Sequence, residues 1–163
     1  MSTLGFERGT SATSSWQRYA RDFEGMIARA SERGLTGDPL VRQALARAHT
    51  EIEMMRIGGM RVLTSVLHPE RAAATVALEA GTKIAWTEAK QRLTNLAVDL
   101  MGADGQILSG GDEPAVGVGL GHRAVVHEYP AGAVQSAFLF SLAGTIFGGT
   151  SEIGRAMVHE LIT

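Results

Sequence analysis

The chain has 163 residues, a formal charge of −2 and a sequence pI near 6.2. That is enough length for one domain with a substantial core, and it leaves no basic footprint for nucleic acid or an anionic membrane surface. Cysteine is absent, which excludes disulfides, thiolate catalysis and Cys-ligated zinc or iron–sulfur sites.

No run approaches the roughly 18 apolar residues of a membrane span. The N-terminus, with Glu7 and Arg8 among scattered apolar residues, has neither the charged nor the apolar region of a secretion signal. A cytoplasmic protein with a single domain over residues 1–163 is expected.

Thr10 to Ser15 is a Ser/Thr cluster able to cap a helix, after which Trp16, Tyr19, Phe23, Met26, Ile27 and Ala30 recur at helical spacing. Three aromatics on one stripe read as core packing. Gly34-Leu35-Thr36-Gly37 breaks the pattern, and Asp38-Pro39 restarts it with an N-cap residue followed by proline at the first helical position. Val41, Leu45, Ala48, Ile52, Met55, Gly59, Val62 and Val66 then predict a long second helix up to His68.

Pro69 stops that helix, because the residue before proline disfavours helical backbone, and a third helix begins beside it as an antiparallel neighbour. Val76, Ala80 and Ile84 make its first stripe, continued slightly rotated by Trp86, Ala89, Leu93, Leu96 and Leu100, until Gly102 ends it. Gly81 inside this helix reads as a mark of close helix packing.

Residues 103–130 are rich in glycine and read as a long irregular insertion, a lid, a partner contact or a mobile segment. Gly117, Gly119 and Gly121 lack the spacing and the strand–loop–helix setting of a dinucleotide fingerprint. His122, His127 and Glu128 fit no zinc spacing, so no metal site is expected. After Pro130 a nearly all-round apolar fourth helix containing Val134, Ala137, Phe138 and Leu142 implies burial on most sides. A short last helix presents Ile153, Met157 and Leu161 on one face. The fold class predicted is all-α: an antiparallel four-helix bundle with a long Gly-rich loop before the fourth helix and a short C-terminal helix.

The junction between the last two helices, Ala143 to Arg155, is the most informative stretch. Gly148-Gly149 permits a sharp turn, and Thr150 or Ser151 supplies the hydroxyl that caps the next helix, with Glu152 in its first turn. Backbone N–H groups at such a start can hold a phosphate; equally, the stretch can be a plain helix connection.

Thr145 to Arg155 resembles the Gly-Gly-Thr-(Ser/Asn)-Glu-Ile signature near the C-terminus of the acyl-CoA dehydrogenase family, and Leu4-Gly5-Phe6-Glu7-Arg8 resembles that family's apolar-x-x-Glu-Arg entry to the first helix of the same domain. The resemblance covers only the family's last domain, an antiparallel four-helix bundle. It implies FAD as cofactor, an acyl-CoA substrate and α,β-desaturation within fatty-acid β-oxidation or related lipid metabolism. It also implies a homo-oligomer without nucleic-acid or membrane partners, and N-terminal and middle domains supplied upstream or by a partner subunit. The isolated chain is then incomplete as an enzyme.

Much of the family places the base that removes the α-proton directly before the Gly-Thr pair, where this chain has Gly148. The isovaleryl- and long-chain-like branch, with bacterial fatty-acyl-CoA dehydrogenases, places it in the Glu-Arg entry instead, which makes Glu7 the implied catalytic base. By the same carry-over Phe147 and Gly148 lie near the acyl group, and Gly149, Thr150 and Glu152 lie along the flavin nucleotide; Arg155 reads as structural. Two family positions differ. The Arg-x-x-Phe-Gly flavin motif falls where this chain reads Arg33-Gly34-Leu35-Thr36-Gly37, and Asp99 replaces a glutamine before a glycine pair. The rival reading is a non-catalytic helical bundle that assembles with itself or a partner, and flavin content discriminates the two.

Overall fold

The computed structural model describes the backbone of residues 3–68, 72–106, 133–146 and 148–162, and their side chains except at 3–15, 66, 72–80, 133, 136 and 162. Five α-helices, α1 (Thr3–Glu32), α2 (Pro39–Leu67), α3 (Ala72–Met101), α4 (Ala133–Ala143) and α5 (Ser151–Ile162), make up the fold with short 3-10 turns at Leu35–Gly37 and Gly102–Gln106. Among the described residues there is no strand.

The boundaries follow local chemistry. Asp38 caps α2, its carboxylate accepting the Leu40 N–H at 2.7 Å, with Pro39 in the first turn. His68 ends α2 one residue before Pro69. At the N-terminus the structure departs from the expected cap: α1 begins at Thr3, so Thr10–Ser15 and the Leu4–Arg8 motif lie inside the helix. Serine and threonine cost only fractions of a kcal/mol in a helix interior, too little to stop one.

The core contains most of the predicted stripes of α1 and α2 and the second stripe of α3; the side chains of Val66, Val76 and Ala80 lie outside the described residues, and Ile27 is exposed. Tyr19, Phe23, Met26 and Ala30 of α1 pack with Leu45, Ala48 and Ile52 of α2, Leu93, Ala97 and Leu100 of α3, and Val134 of α4. His49 stacks on Phe23, ring centroids 5.8 Å apart. α4 and α5 both run antiparallel to α3, and α3 is the hub of the bundle, packing on each of the other helices. At its far end Arg33 ties α1 to α3, donating to Met101 O at 2.7 Å and to Asp104 at 2.7 Å. Gln135 of α4 donates to Gly105 O at 2.6 Å. A Cβ at Gly81 would meet only Val158 Cγ2, at 3.9 Å, so α3 and α5 approach there at ordinary contact distance and the expected tight packing falls elsewhere.

The fourth edge of the bundle is a broken one. α4 lies beside the C-terminal half of α3, where Thr94 and Ser141 hydroxyls meet at 3.0 Å. α5 lies beside its N-terminal half, with Gly154 on Ile84 and Arg155 paired to Glu88. Contrary to the expected burial of α4 on most sides, Leu139, Phe140 and Leu142 are 53, 45 and 46% exposed. Among the described residues its main neighbours are α3 and the second 3-10 turn, and an all-round apolar helix so placed keeps an exposed face. Ile153, Met157 and Leu161 of α5 are likewise exposed. No described helix is long and apolar enough to cross a membrane.

Candidate functional site

The break between α4 and α5 is built on two left-handed glycines, Gly148 at φ 69° and Gly149 at φ 98°, a region that side-chain-bearing residues rarely occupy. Before it, the chain leaves α4 through the Gly144 N–H to Ser141 O and Ile146 N–H to Ala143 O bonds. After it, Thr150 is the N-cap, its hydroxyl accepting the Ile153 N–H at 3.3 Å. The returning helix sits close on α3, because a Cβ at Gly154 would come within 3.0 Å of Ile84.

Two residues of α3 clamp this turn. Lys83, buried, donates from Nζ to the Gly149 carbonyl. Gln91 donates toward Ser141 O at 3.3 Å, Leu142 O at 3.4 Å and Thr145 Oγ1 at 3.4 Å. Lys83, Thr87, Lys90 and Thr94 recur at helical spacing, and all four are buried. The apolar stripe of α3 does not reveal this polar one, although its spacing of four, three and four is visible in the sequence.

The N-terminal donors of α5 have internal partners. Ser151 N–H bonds Thr145 O at 3.0 Å, Ile153 N–H bonds the Thr150 hydroxyl, and Gly154 N–H bonds Thr150 O at 3.0 Å. Hydrogen bonds from its own backbone N–H and from Thr150 hold the Glu152 carboxyl below its ordinary range, with Arg155 and Lys83 adding to the effect. A phosphate at this helix start would therefore compete with Glu152. Ser151 Oγ is buried without a partner. Beside Gly148 the space is open, with nothing within 4 Å of the position a Cβ would take.

The structure thus gathers Gly148, Gly149, Thr150 and Glu152 at one turn. Phe147 lies outside the described residues, as do His122, His127, Glu128 and residues 107–132 of the predicted insertion. Glu7 stands on α1, and its side chain is not among those described. α1 and α3 run side by side in one direction, Arg33 lying against Met101. Lys83, eighteen residues earlier on α3, is therefore level with residue 15 of α1. Glu7 is eight residues further on, roughly 12 Å at 1.5 Å per residue. The structure does not bring it level with Gly148.

Arg33, at the position of the family's flavin-contacting motif, is engaged by Asp104 and the α3 carbonyls. Arg155 pairs with Glu88 and, at 3.8 Å, with Glu152, as its structural reading requires. No group of three or more metal-ligating side chains occurs among the described residues. The turn therefore offers part of what one edge of a nucleotide site needs, an open glycine face beside a hydroxyl.

The family profile described as acyl-CoA dehydrogenase, C-terminal domain, matches residues 1–163. The acyl-CoA dehydrogenase IpdE1 of Mycolicibacterium smegmatis is 29% identical over 162 residues, covering 99% of this chain and 35% of that protein. IpdE1 of Mycobacterium tuberculosis is 28% identical, covering 99% and 36%. A solved structure named Tcur3481-Tcur3483 steroid ACAD superposes with a TM-score of 0.73 at 25% identity over 99% of this chain and 37% of that chain. A variant of the same enzyme gives a TM-score of 0.73 at 24% identity over 97% and 37%, respectively. The chain spans about a third of the length of the curated relatives it matches.

Proposed function

This chain belongs to the acyl-CoA dehydrogenase family, matching its C-terminal domain from end to end, and from that membership we propose that it serves as a single such domain in a cytoplasmic enzyme that desaturates an acyl-CoA thioester. The observation that carries the reading is the whole-length family match together with Glu7 in the Glu-Arg entry and Gly148 where many members carry their base. Enzymes of the family are generally FAD-dependent, and bound FAD would supply the hydride acceptor.

In this proposal Glu7 takes the α-proton, and a carboxylate enclosed with an apolar acyl chain acquires the raised pKa such a base needs. Phe147 and Gly148 border the acyl group. Gly149, Thr150 and Glu152 form one edge of the nucleotide site, held in place by Lys83 and Gln91 of α3. The remaining two thirds of the enzyme comes from N-terminal and middle domains on the same chain or from a partner subunit; the paired name of the superposing structure, Tcur3481-Tcur3483, supports the second arrangement. The same name supports a steroid acyl thioester as substrate ahead of the fatty acyl thioesters of β-oxidation.

Purified alone, the 163-residue chain is expected to be colourless and to bind added FAD weakly, because it contributes only one edge of the site. Fluorescence titration with FAD checks this, and a stoichiometric yellow protein contradicts it.

A non-catalytic bundle subunit is the second reading, favoured by the engagement of Arg33 within the chain and the offset of Glu7 from Gly148. The enzyme assembled with this chain would then reduce flavin at the same rate whether position 7 is glutamate or glutamine.

A further inference from the structure

Three buried polar side-chain atoms of the described residues have no hydrogen-bond partner: Arg18 Nε, Tyr19 Oη and Ser151 Oγ. Ser151 belongs to the turn between α4 and α5. The other two are neighbours on α1, with the Arg18 guanidinium carbon 5.8 Å from the centroid of the Tyr19 ring. By the register that Arg33 and Met101 set between α1 and α3, Lys90 stands level with Asp22, one helical turn from Arg18 and Tyr19. Arg18 and Asp22 act electrostatically on both Tyr19 and Lys90, so the four side chains form one cluster.

The cluster is rich in donors and short of acceptors. Tyr19 and Lys90 are 1 and 6% exposed. Among the described residues Arg18 has no ion pair, and the Lys90 ammonium has the Phe140 ring as its contact, 5.2 Å from the centroid. Asp22, also buried, has a partner of its own. Native interiors leave few such donors unpaired, because each has given up its water without a return.

Charge points the same way. Lys90 still holds its proton at neutral pH, so Arg18 and Lys90 set two positive charges against the one negative charge of Asp22. One more negative charge balances the cluster. A phosphate dianion would overshoot. A carboxylate brings a single charge and two oxygens, with lone pairs enough to accept from a guanidinium, a phenol and an ammonium together. Phe140, which lies over Lys90, is itself 45% exposed, which places the cluster at the uncovered edge of the bundle.

We propose that Arg18, Tyr19 and Lys90 form a binding site for a small carboxylate anion between α1, α3 and α4, the guanidinium and the ammonium meeting its charge and the Tyr19 hydroxyl donating a further hydrogen bond. Lys90 is seven residues, roughly 10 Å, along α3 from the Lys83 clamp, so the site is separate from the glycine turn. It holds whether or not the chain completes an enzyme, and its failure is therefore separate from that of the proposed function.

Saturation-transfer NMR of the 163-residue chain, with sodium acetate as the probe at pH 7 and constant ionic strength, tests the site. Saturable binding is expected. Lys90→Met and Arg18→Gln should each weaken it about tenfold or more, since each removes a charge-assisted hydrogen bond, and Tyr19→Phe about three- to tenfold, the share of a neutral one. Arg47→Gln, which removes a charge from an exposed position on α2, should leave it unchanged. Far-ultraviolet circular dichroism verifies that each variant is folded. Competition in the parent chain gives a second readout that needs no variant: formate should displace acetate, and phosphate or chloride at the same concentration should not. Absence of saturable acetate binding overturns the proposal. So does binding that Lys90→Met and Arg18→Gln leave unchanged, that Arg47→Gln weakens as much, or that phosphate or chloride displaces as well as formate does.

Discussion

Glu7→Gln, introduced into the acyl-CoA dehydrogenase that this chain is proposed to complete, is expected to slow flavin reduction by an acyl-CoA thioester by about 10²–10⁴-fold with little change in thioester binding. The substitution keeps the size and hydrogen-bonding capacity of the side chain and removes its basicity. Gly148 has no side chain to substitute for it, and no other carboxylate of the turn suits the role. Glu152 is exposed and held below the ordinary carboxyl range, which makes it a poor base near neutral pH. Stopped-flow measurement of flavin reduction under anaerobic conditions checks the expectation. An unchanged rate would place the base elsewhere or assign the chain to a non-catalytic subunit.

The second large effect concerns Lys90. It is 6% exposed on α3, its Nζ lies 5.2 Å from the centroid of the Phe140 ring, and Arg18 and Asp22 of α1 act on it electrostatically. Burial, reinforced by the like charge of Arg18 and opposed by Asp22, pushes its ammonium down to about 8. Folded and unfolded chains both hold the proton below pH 8, so the cost of burying the charge is fully present there. Between pH 8 and the ordinary lysine value of 10.5 the folded chain releases its proton first, and stability rises with pH.

Tyr19, 1% exposed, acts in the opposite sense: burial is the main cause that raises its hydroxyl to about 12, so above pH 10 the unfolded chain ionises first and stability falls. Stability is therefore expected to climb by about 2 kcal/mol from pH 8 to a maximum near pH 10. Lys90→Met should remove the climb and raise stability at pH 7 by about 1–2 kcal/mol, after allowance for the lost contact with Phe140. Denaturant midpoints across this range check both. A flat parent profile, or a Lys90→Met chain that is less stable at pH 7, contradicts the reading.

The helices were legible in the sequence because their signals are local. Asp38-Pro39, His68-Pro69 and the apolar repeats of α1, α2 and α3 each act within a few residues, and the structure places the breaks there. The start of α1 was not, because a Ser/Thr cluster is a good cap and also a tolerable helix interior, and local chemistry does not choose between them. The exposure of α4 depends on which helices are within reach, which the apolar pattern of Phe138 to Leu142 cannot state. At the site, the turn through Gly148 and Gly149 and the Thr150 cap were readable from residue types alone. The clamp by Lys83 and Gln91 and the capture of Arg33 by Asp104 join residues 66 and 71 positions apart in the chain for Lys83–Gly149 and Arg33–Asp104, and such pairings appear only once α3 is folded against its neighbours.

Dependence of this chain on the other two thirds of an acyl-CoA dehydrogenase is tested most directly by anaerobic mixing of FAD and an acyl-CoA thioester with the chain alone and with the chain assembled with the remaining domains. Loss of the oxidised flavin absorbance in the assembled protein and none with the chain alone is the expected result. Bleaching by the 163-residue chain alone, or its absence in an assembled protein that holds FAD, would contradict it.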